Sequence, residues 1–142
     1  MIRACEKNDI NQIVDLELNT LGTTLGYDSL LGYLDNSLIY CLVYENENEI
    51  LGYISFSFDG EMLEIFNFCV KENYQRSGIG TKIMNYAFNM FTSKGLKSSI
   101  LEVRESNKKA ISFYEKLGYI QISIRKKYYS NNENALILQK IF

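Results

Sequence analysis

Residues suited to chemistry fall at three places in the chain: the loop Gln75-Arg76-Ser77-Gly78-Ile79-Gly80-Thr81, Glu102, and Tyr114. The loop follows an apolar run, Ile65 to Val70, and opens a helix-patterned run from Ile79 to Lys94. Glycines at 78 and 80 let bare backbone N–H groups face outward at a helix start, where the helix dipole favours negative charge. That is a site for a diphosphate, although a plain tight turn satisfies the same local pattern. Two better-known phosphate motifs do not fit. The dinucleotide fingerprint needs a third glycine three residues after Gly80, where Ile83 stands; a triphosphate loop needs Gly-Lys-Ser or Gly-Lys-Thr, and Gly80-Thr81-Lys82 reverses the last two.

The chain has no histidine. Every Ser-His, Cys-His and His-metal mechanism is thereby excluded, leaving carboxylates, tyrosines, lysines and thiols to move protons. Glu102 interrupts the strand-like run Ser99 to Val103, on the face of Ile100 and opposite Leu101 and Val103. A carboxylate in a central strand is costly to bury alone, so it is either a general base or half of an ion pair with Arg104 or a neighbour. Tyr114 shares a helix face with Ala110, Ile111 and Leu117, which by itself reads as core. Cys5, Cys41 and Cys69 are scattered and odd in number, so neither a metal cluster nor a disulfide framework is expected. Cys69 lies just before the phosphate loop, yet a thiol without a cationic activator is usually inert.

The elements that must position these residues alternate between the two classes without linkers or repeats. Ile2 to Cys5 reads as a strand; Asn8 caps a helix to about Leu18; a short helix follows near Ser29 to Leu34. Strands are expected at Ser37 to Tyr44, Ile50 to Phe58 and Met62 to Val70, joined as antiparallel hairpins. The long helix buries Ile79, Ile83, Tyr86, Ala87, Met90 and Phe91 and stops at Gly95. A strand at Ser99 to Val103, a helix from Asn107 to Gly118, and strands near Tyr119 to Lys126 and Ala135 to Ile141 complete the order.

At 142 residues, 46% hydrophobic and 23% charged, the chain fits a single domain spanning 1–142. No apolar run approaches the roughly 20 residues of a membrane span, and the first residues lack a signal-peptide core, so a cytoplasmic location is expected. Charge is lopsided: residues 1–70 carry two basic and twelve acidic side chains, residues 71–142 thirteen and five. Both sets suit solvated faces; equally, the basic half would attract phosphates and the acidic half a basic acceptor. A nucleic-acid binder would need a net basic surface.

The pattern Gln-x-x-Gly-x-Gly at 75–80 resembles the acetyl-CoA loop of the GCN5-related N-acetyltransferase (GNAT) superfamily. Leu101 to Asn107, Ala110 to Tyr119 and Arg125 to Tyr129 resemble its other signature segments, in the manner of the RimI-type bacterial ribosomal-protein alanine N-acetyltransferases. The resemblance covers about residues 61–141. It implies an α/β GNAT fold: a central, mixed, mostly antiparallel twisted sheet of six to seven strands, about four flanking helices, and two splayed parallel strands holding acetyl-CoA. It implies acetyl-CoA as cosubstrate, no metal, and a protein amino terminus as acceptor, such as the ribosomal small-subunit protein eighteen, with a small amine or antibiotic as the alternative acceptor and a non-catalytic acyl-CoA-binding module as the remaining alternative. The chain would act as a monomer or weak dimer, away from membrane and nucleic acid.

Acetyl transfer asks for a held thioester, a neutral amine, donors for the tetrahedral oxyanion and a proton for the thiolate. By the resemblance, backbone amides from Gln75 through Arg76, Ser77, Gly78, Ile79 and Gly80 to Thr81 hold the diphosphate. Main-chain groups of Phe68, Cys69 and Val70 take the pantetheine and acetyl end, an N–H near Cys69 or Val70 polarising the carbonyl. Glu102 is the base, Tyr114 the acid reaching the sulfur, Asn107 a cofactor contact as well as a cap, and Tyr128 and Tyr129 border the peptide site. One carboxylate suffices for an α-amine: at pH 7.5 about a quarter of it is free base, against roughly one lysine in a thousand. The chain departs from the RimI pattern in having no proline and no tryptophan. The Pro-Trp element after the first helix is missing, which bears on the acceptor wall, and Glu72 replaces a proline after the strand.

Overall fold

The computed structural model describes residues 1–142. Seven strands, β1 (Ile2–Ala4), β2 (Ile39–Asn46), β3 (Glu49–Phe58), β4 (Met62–Val70), β5 (Ser98–Arg104), β6 (Ile120–Arg125) and β7 (Ala135–Ile141), form one sheet in the order β1-β2-β3-β4-β5-β7-β6. All neighbours are antiparallel except β4 and β5, the expected mixed sheet. Helices α1 (Ile10–Leu21) and α2 (Tyr27–Asp35) pack on one face; α3 (Ile79–Asn89) and α4 (Lys108–Lys116) pack on the other.

The two faces are filled unequally. Under α3 and α4, 19 buried residues form one cluster, built from Ile79, Ile83, Met84, Ala87 and Phe88 of the α3 stripe against Leu51, Ile54, Phe56, Leu63, Leu101 and Leu138 of the sheet. Under α1 and α2 the cluster has 9, centred on Ile10, Ile13, Val43 and Tyr53. Helices α1 and α2 therefore leave part of their face open.

Several element boundaries differ from expectation for local reasons. Asn8 does not cap α1: Asp9 does the bracing, accepting from the Glu6 N–H at 2.7 Å and from Arg3 at 2.8 Å, and a 3₁₀ turn, Lys7–Asp9, precedes the helix. That helix ends at Gly22, in the left-handed region at φ 77°. α3 stops at Asn89, not Lys94; a separate 3₁₀ turn, Thr92–Lys94, tightens the exit toward Gly95. A Cβ there would meet the Gly60 carbonyl at 2.9 Å, so the glycine lets the turn pack beneath the β3–β4 hairpin. Tyr86 faces solvent, and Met84 and Phe88 take the stripe in its place.

Candidate functional site

Strands β4 and β5 pair over three positions, Met62 with Ser98, Leu63 with Ser99 and Glu64 with Ile100. Both continue, to Val70 and Arg104, without pairing. They part because each is held elsewhere: β4 by β3 and β5 by β7. A bulge in β4 at Phe66 bends it away, and the aromatic rings of Phe68, Phe113 and Tyr114 fill the wedge from the α4 side, Phe68 stacking on Phe113 at 5.5 Å.

At the end of β4 the chain turns into the loop read from the sequence. From Arg76 to Thr81, six consecutive backbone N–H groups have no acceptor within the protein, whereas Gln75 N–H bonds Glu72 and Lys82 N–H bonds Gly78. Successive free N–H groups ahead of a helix form an anion cradle. Arg76 (φ 64°) and Gly78 (φ 90°) take left-handed conformations within this run. The side chains brace the loop from behind: Gln75 donates to the Val70 carbonyl at 3.0 Å and the Ser77 hydroxyl to that of Tyr74. Arg76 and Thr81 are exposed, and Ile79 is buried in the core. Gly80 has a different reason to be glycine from Gly78. Its φ is ordinary, but a Cβ would lie 3.1 Å from the Phe113 ring and 3.2 Å from that of Phe68.

Alternation in the β3–β4 ladder sorts the main-chain groups before the loop. Lys71 N–H bonds Leu51 on β3, so by the antiparallel pattern Cys69 exchanges its bonds with Tyr53, while Phe68 and Val70 turn theirs toward the gap. Between the expected Cys69 and Val70, the N–H facing the gap is therefore Val70's. The Cys69 thiol points to the α1 side and is buried, pushed up to about 12 by burial, so it stays protonated.

Tyr114 and Glu102 approach the gap from opposite faces. Tyr114 sits in the α4 core beside Phe68 and Tyr119, at 6.2 and 5.7 Å between ring centroids, and burial pushes its phenol well above the usual range. Tyr119 ties its hydroxyl to Ser99 at 2.7 Å, whereas the Tyr114 hydroxyl has no protein partner; the one fully enclosed orphan is Tyr53 Oη. Glu102 lies on the open face, with 30% of its side chain exposed and Oε1 3.2 Å from Arg125 Nε. The ion pair is thus with Arg125, across β7, and not with Arg104. Arg104 is held by Glu133 at 3.2 Å and covers the Tyr129 ring at 3.8 Å; Arg125 lies 5.2 Å from the Tyr128 ring. Ser106 and Arg104 hold the Glu133 carboxyl down at about 2. Asn107 caps α4, its Oδ1 accepting from Ala110 N–H at 3.2 Å.

Sequence reasoning missed Glu64, Phe66 and Tyr33, which border the gap's open side. Tyr33 on α2 meets Phe66 at 6.2 Å. Glu64 carried a signal, since it interrupts an apolar strand just as Glu102 does; the Tyr33–Phe66 contact joins residues far apart in sequence and carried none.

A parallel pair that parts beside an unpaired run of N–H groups is a place for a phosphorylated arm to pass through a sheet. The acetyltransferase (GNAT) family pattern matches residues 8–119. The chain belongs to this family. A putative [ribosomal protein bS18]-alanine N-acetyltransferase of Bacillus subtilis (strain 168) is 29% identical over 139 residues, covering 96% of this chain and 92% of the relative. Among solved structures, Ard1 from Thermoplasma volcanium superposes with a TM-score of 0.91 at 26% identity, over 99% of this chain and 96% of that one. The ribosomal-protein-S18-alanine N-acetyltransferase from Escherichia coli gives 0.88 at 22%, over 99% and 92%, a likeness of fold. As a GNAT acetyltransferase the chain is an enzyme, and no helix in it is long and apolar enough to cross a membrane.

Proposed function

We propose that this GNAT enzyme transfers the acetyl group of acetyl-CoA to the α-amino group of a protein amino terminus, in the cytoplasm. A basic ribosomal protein is the leading acceptor, in line with what the Bacillus relative is named for. The observation that carries the reading is the juxtaposition of the free N–H run from Arg76 to Thr81 with a gap flanked by Glu102 and Tyr114.

The residues fit the cosubstrate in kind. The N–H run and the dipole of α3 suit a diphosphate, and the gap-facing groups of Phe68 and Val70 suit the amides of a pantetheine arm. Val70 N–H polarises the acetyl carbonyl. Glu102, on the open face, takes a proton from the acceptor nitrogen as the C–N bond forms. Tyr114, held protonated by burial, gives its proton to sulfur as the C–S bond breaks, and regains one from solvent. Asn107 keeps the first turn of α4, and with it Tyr114, in place. Tyr128 and Tyr129, pinned by Arg125 and Arg104, wall the acceptor side.

The reading is tested by acetyl transfer to an Ala-starting basic peptide, its amino-blocked form and polyamines. Product from the free-terminus peptide alone is expected. Product from polyamines alone would reassign the enzyme to small amines.

A further inference from the structure

Glu64 is the last residue of the parallel pairing, opposite Ile100 of β5 and Ser57 of β3. Directly paired residues share a face, and Glu102 is two residues beyond Ile100. Glu64 and Glu102 therefore stand on the same open face, diagonal to one another across the point where the strands part. The floor around them is low and polar, with Ser55 and Ser57 on β3 and Asn67 hydrogen-bonded to Ser55 at 3.5 Å; the Tyr33 and Phe66 rings form its wall.

The two carboxylates differ in their company. Glu102 is paired with Arg125, but Glu64 is exposed and joins none of the protein's six ion pairs. Of the two cations in its half of the chain, Arg3 is committed to Asp9 and Glu45, and Lys7 joins no ion pair with Glu64 or any other carboxylate. Glutamate also contributes little to a strand. An uncompensated charge in mid-sheet, at the mouth of the gap, does nothing for the fold, and it suits a cation that arrives there. Under the transfer reading, that cation is the acceptor's ammonium group, which must be held before it is deprotonated.

Resting on the proposed transfer, we infer that Glu64 is an acceptor-binding residue. It captures the protonated amine at the open face and holds it beside Glu102, which then takes the proton. Capture and deprotonation are thereby divided between two carboxylates, one left unpaired to attract and the other steadied by Arg125.

Steady-state kinetics of Glu64→Gln and Glu64→Asp, at low and at physiological salt, test this. Glu64→Gln is expected to raise the acceptor KM about tenfold, with kcat changed by less than about threefold and the acetyl-CoA KM unmoved. Glu64→Asp should recover part of the loss. Salt should weaken acceptor binding by the wild type more than by Glu64→Gln, since screening acts on the charge that was removed. An acceptor KM within twofold of wild type, or an equal rise for acetyl-CoA, overturns the proposal. Wild-type selectivity decides the acceptor class separately. If polyamines prove to be the substrates, the same comparison is made with them, and the same two results uphold or overturn the role of Glu64.

Discussion

The two sides of the gap are made of different material. On the proposed reading the donor side is backbone: free N–H groups from Arg76 to Thr81 and the main chain of Phe68 and Val70, backed by the larger of the two cores. The acceptor side is side chains, with Glu64, Phe66, Glu102, Arg125, Tyr128 and Tyr129 carried by β4, β5, β6 and the β6–β7 connection, over a face that α1 and α2 cover incompletely. A backbone site works through conformation, so its sequence cost falls on glycines in one contiguous stretch. A side-chain site can be assembled from any strand that reaches the face. The donor side should thus respond to changes in backbone freedom and the acceptor side to changes in charge.

The largest effects are expected where the two sides meet. Glu102→Gln and Tyr114→Phe should each lower kcat by about 10² to 10⁴ while leaving acetyl-CoA affinity nearly intact, as positioned bases and acids do. Tyr114→Phe should matter less when the leaving thiol is more acidic, because such a thiolate needs no proton. Near-normal turnover of Tyr114→Phe with acetyl-CoA would make the phenol a packing residue and erase its side of the comparison.

Next in size is a change confined to the donor side. Gly78 is at φ 90° with open space around the position of a Cβ, so Gly78→Val strains the loop without a clash and misdirects the N–H run. Acetyl-CoA binding should weaken tenfold or more, about 1.4 kcal/mol, while the acceptor KM stays put. Calorimetry showing unchanged affinity in a folded Gly78→Val protein would remove the phosphate-cradle assignment.

The same division explains what could be read in advance. The loop, the succession of strands and helices along the chain and the α4 cap at Asn107 rest on local rules, and all were legible in contiguous residues. Arg125 as the partner of Glu102 was not, because β7 lies between them in the sheet though not in the chain. Asn8 was misread as a cap because the bond that fixes the helix start comes from Arg3 on β1 to Asp9, a tertiary contact. Tyr86 fits an α3 stripe as well as Met84 does until the sheet decides which way the helix is turned.

The smallest effect probes the acceptor side's own support. Glu17 of α1 is 1% exposed, and its Oε1 accepts from the Thr24 hydroxyl at 2.8 Å and the Leu25 N–H at 3.3 Å, pinning the α1–α2 connection. Burial raises its carboxyl above the ordinary range, partly offset by those two bonds. A folded-state pKa above the unfolded value of about 4.3 stabilises the fold at pH below that value, and the contribution is lost as pH rises through the folded value. Glu17→Gln keeps an acceptor oxygen and removes the charge, so its Tm relative to wild type should rise between pH 4 and pH 8. Thr24→Val deletes one bond and should cost about 1 kcal/mol, or roughly 4 °C, at either pH. Should the Glu17→Gln difference be the same at both pH values, the carboxylate is not titrating in the fold. The bonds from Thr24 and Leu25 would then hold the α1–α2 connection with no contribution from a change of charge at Glu17.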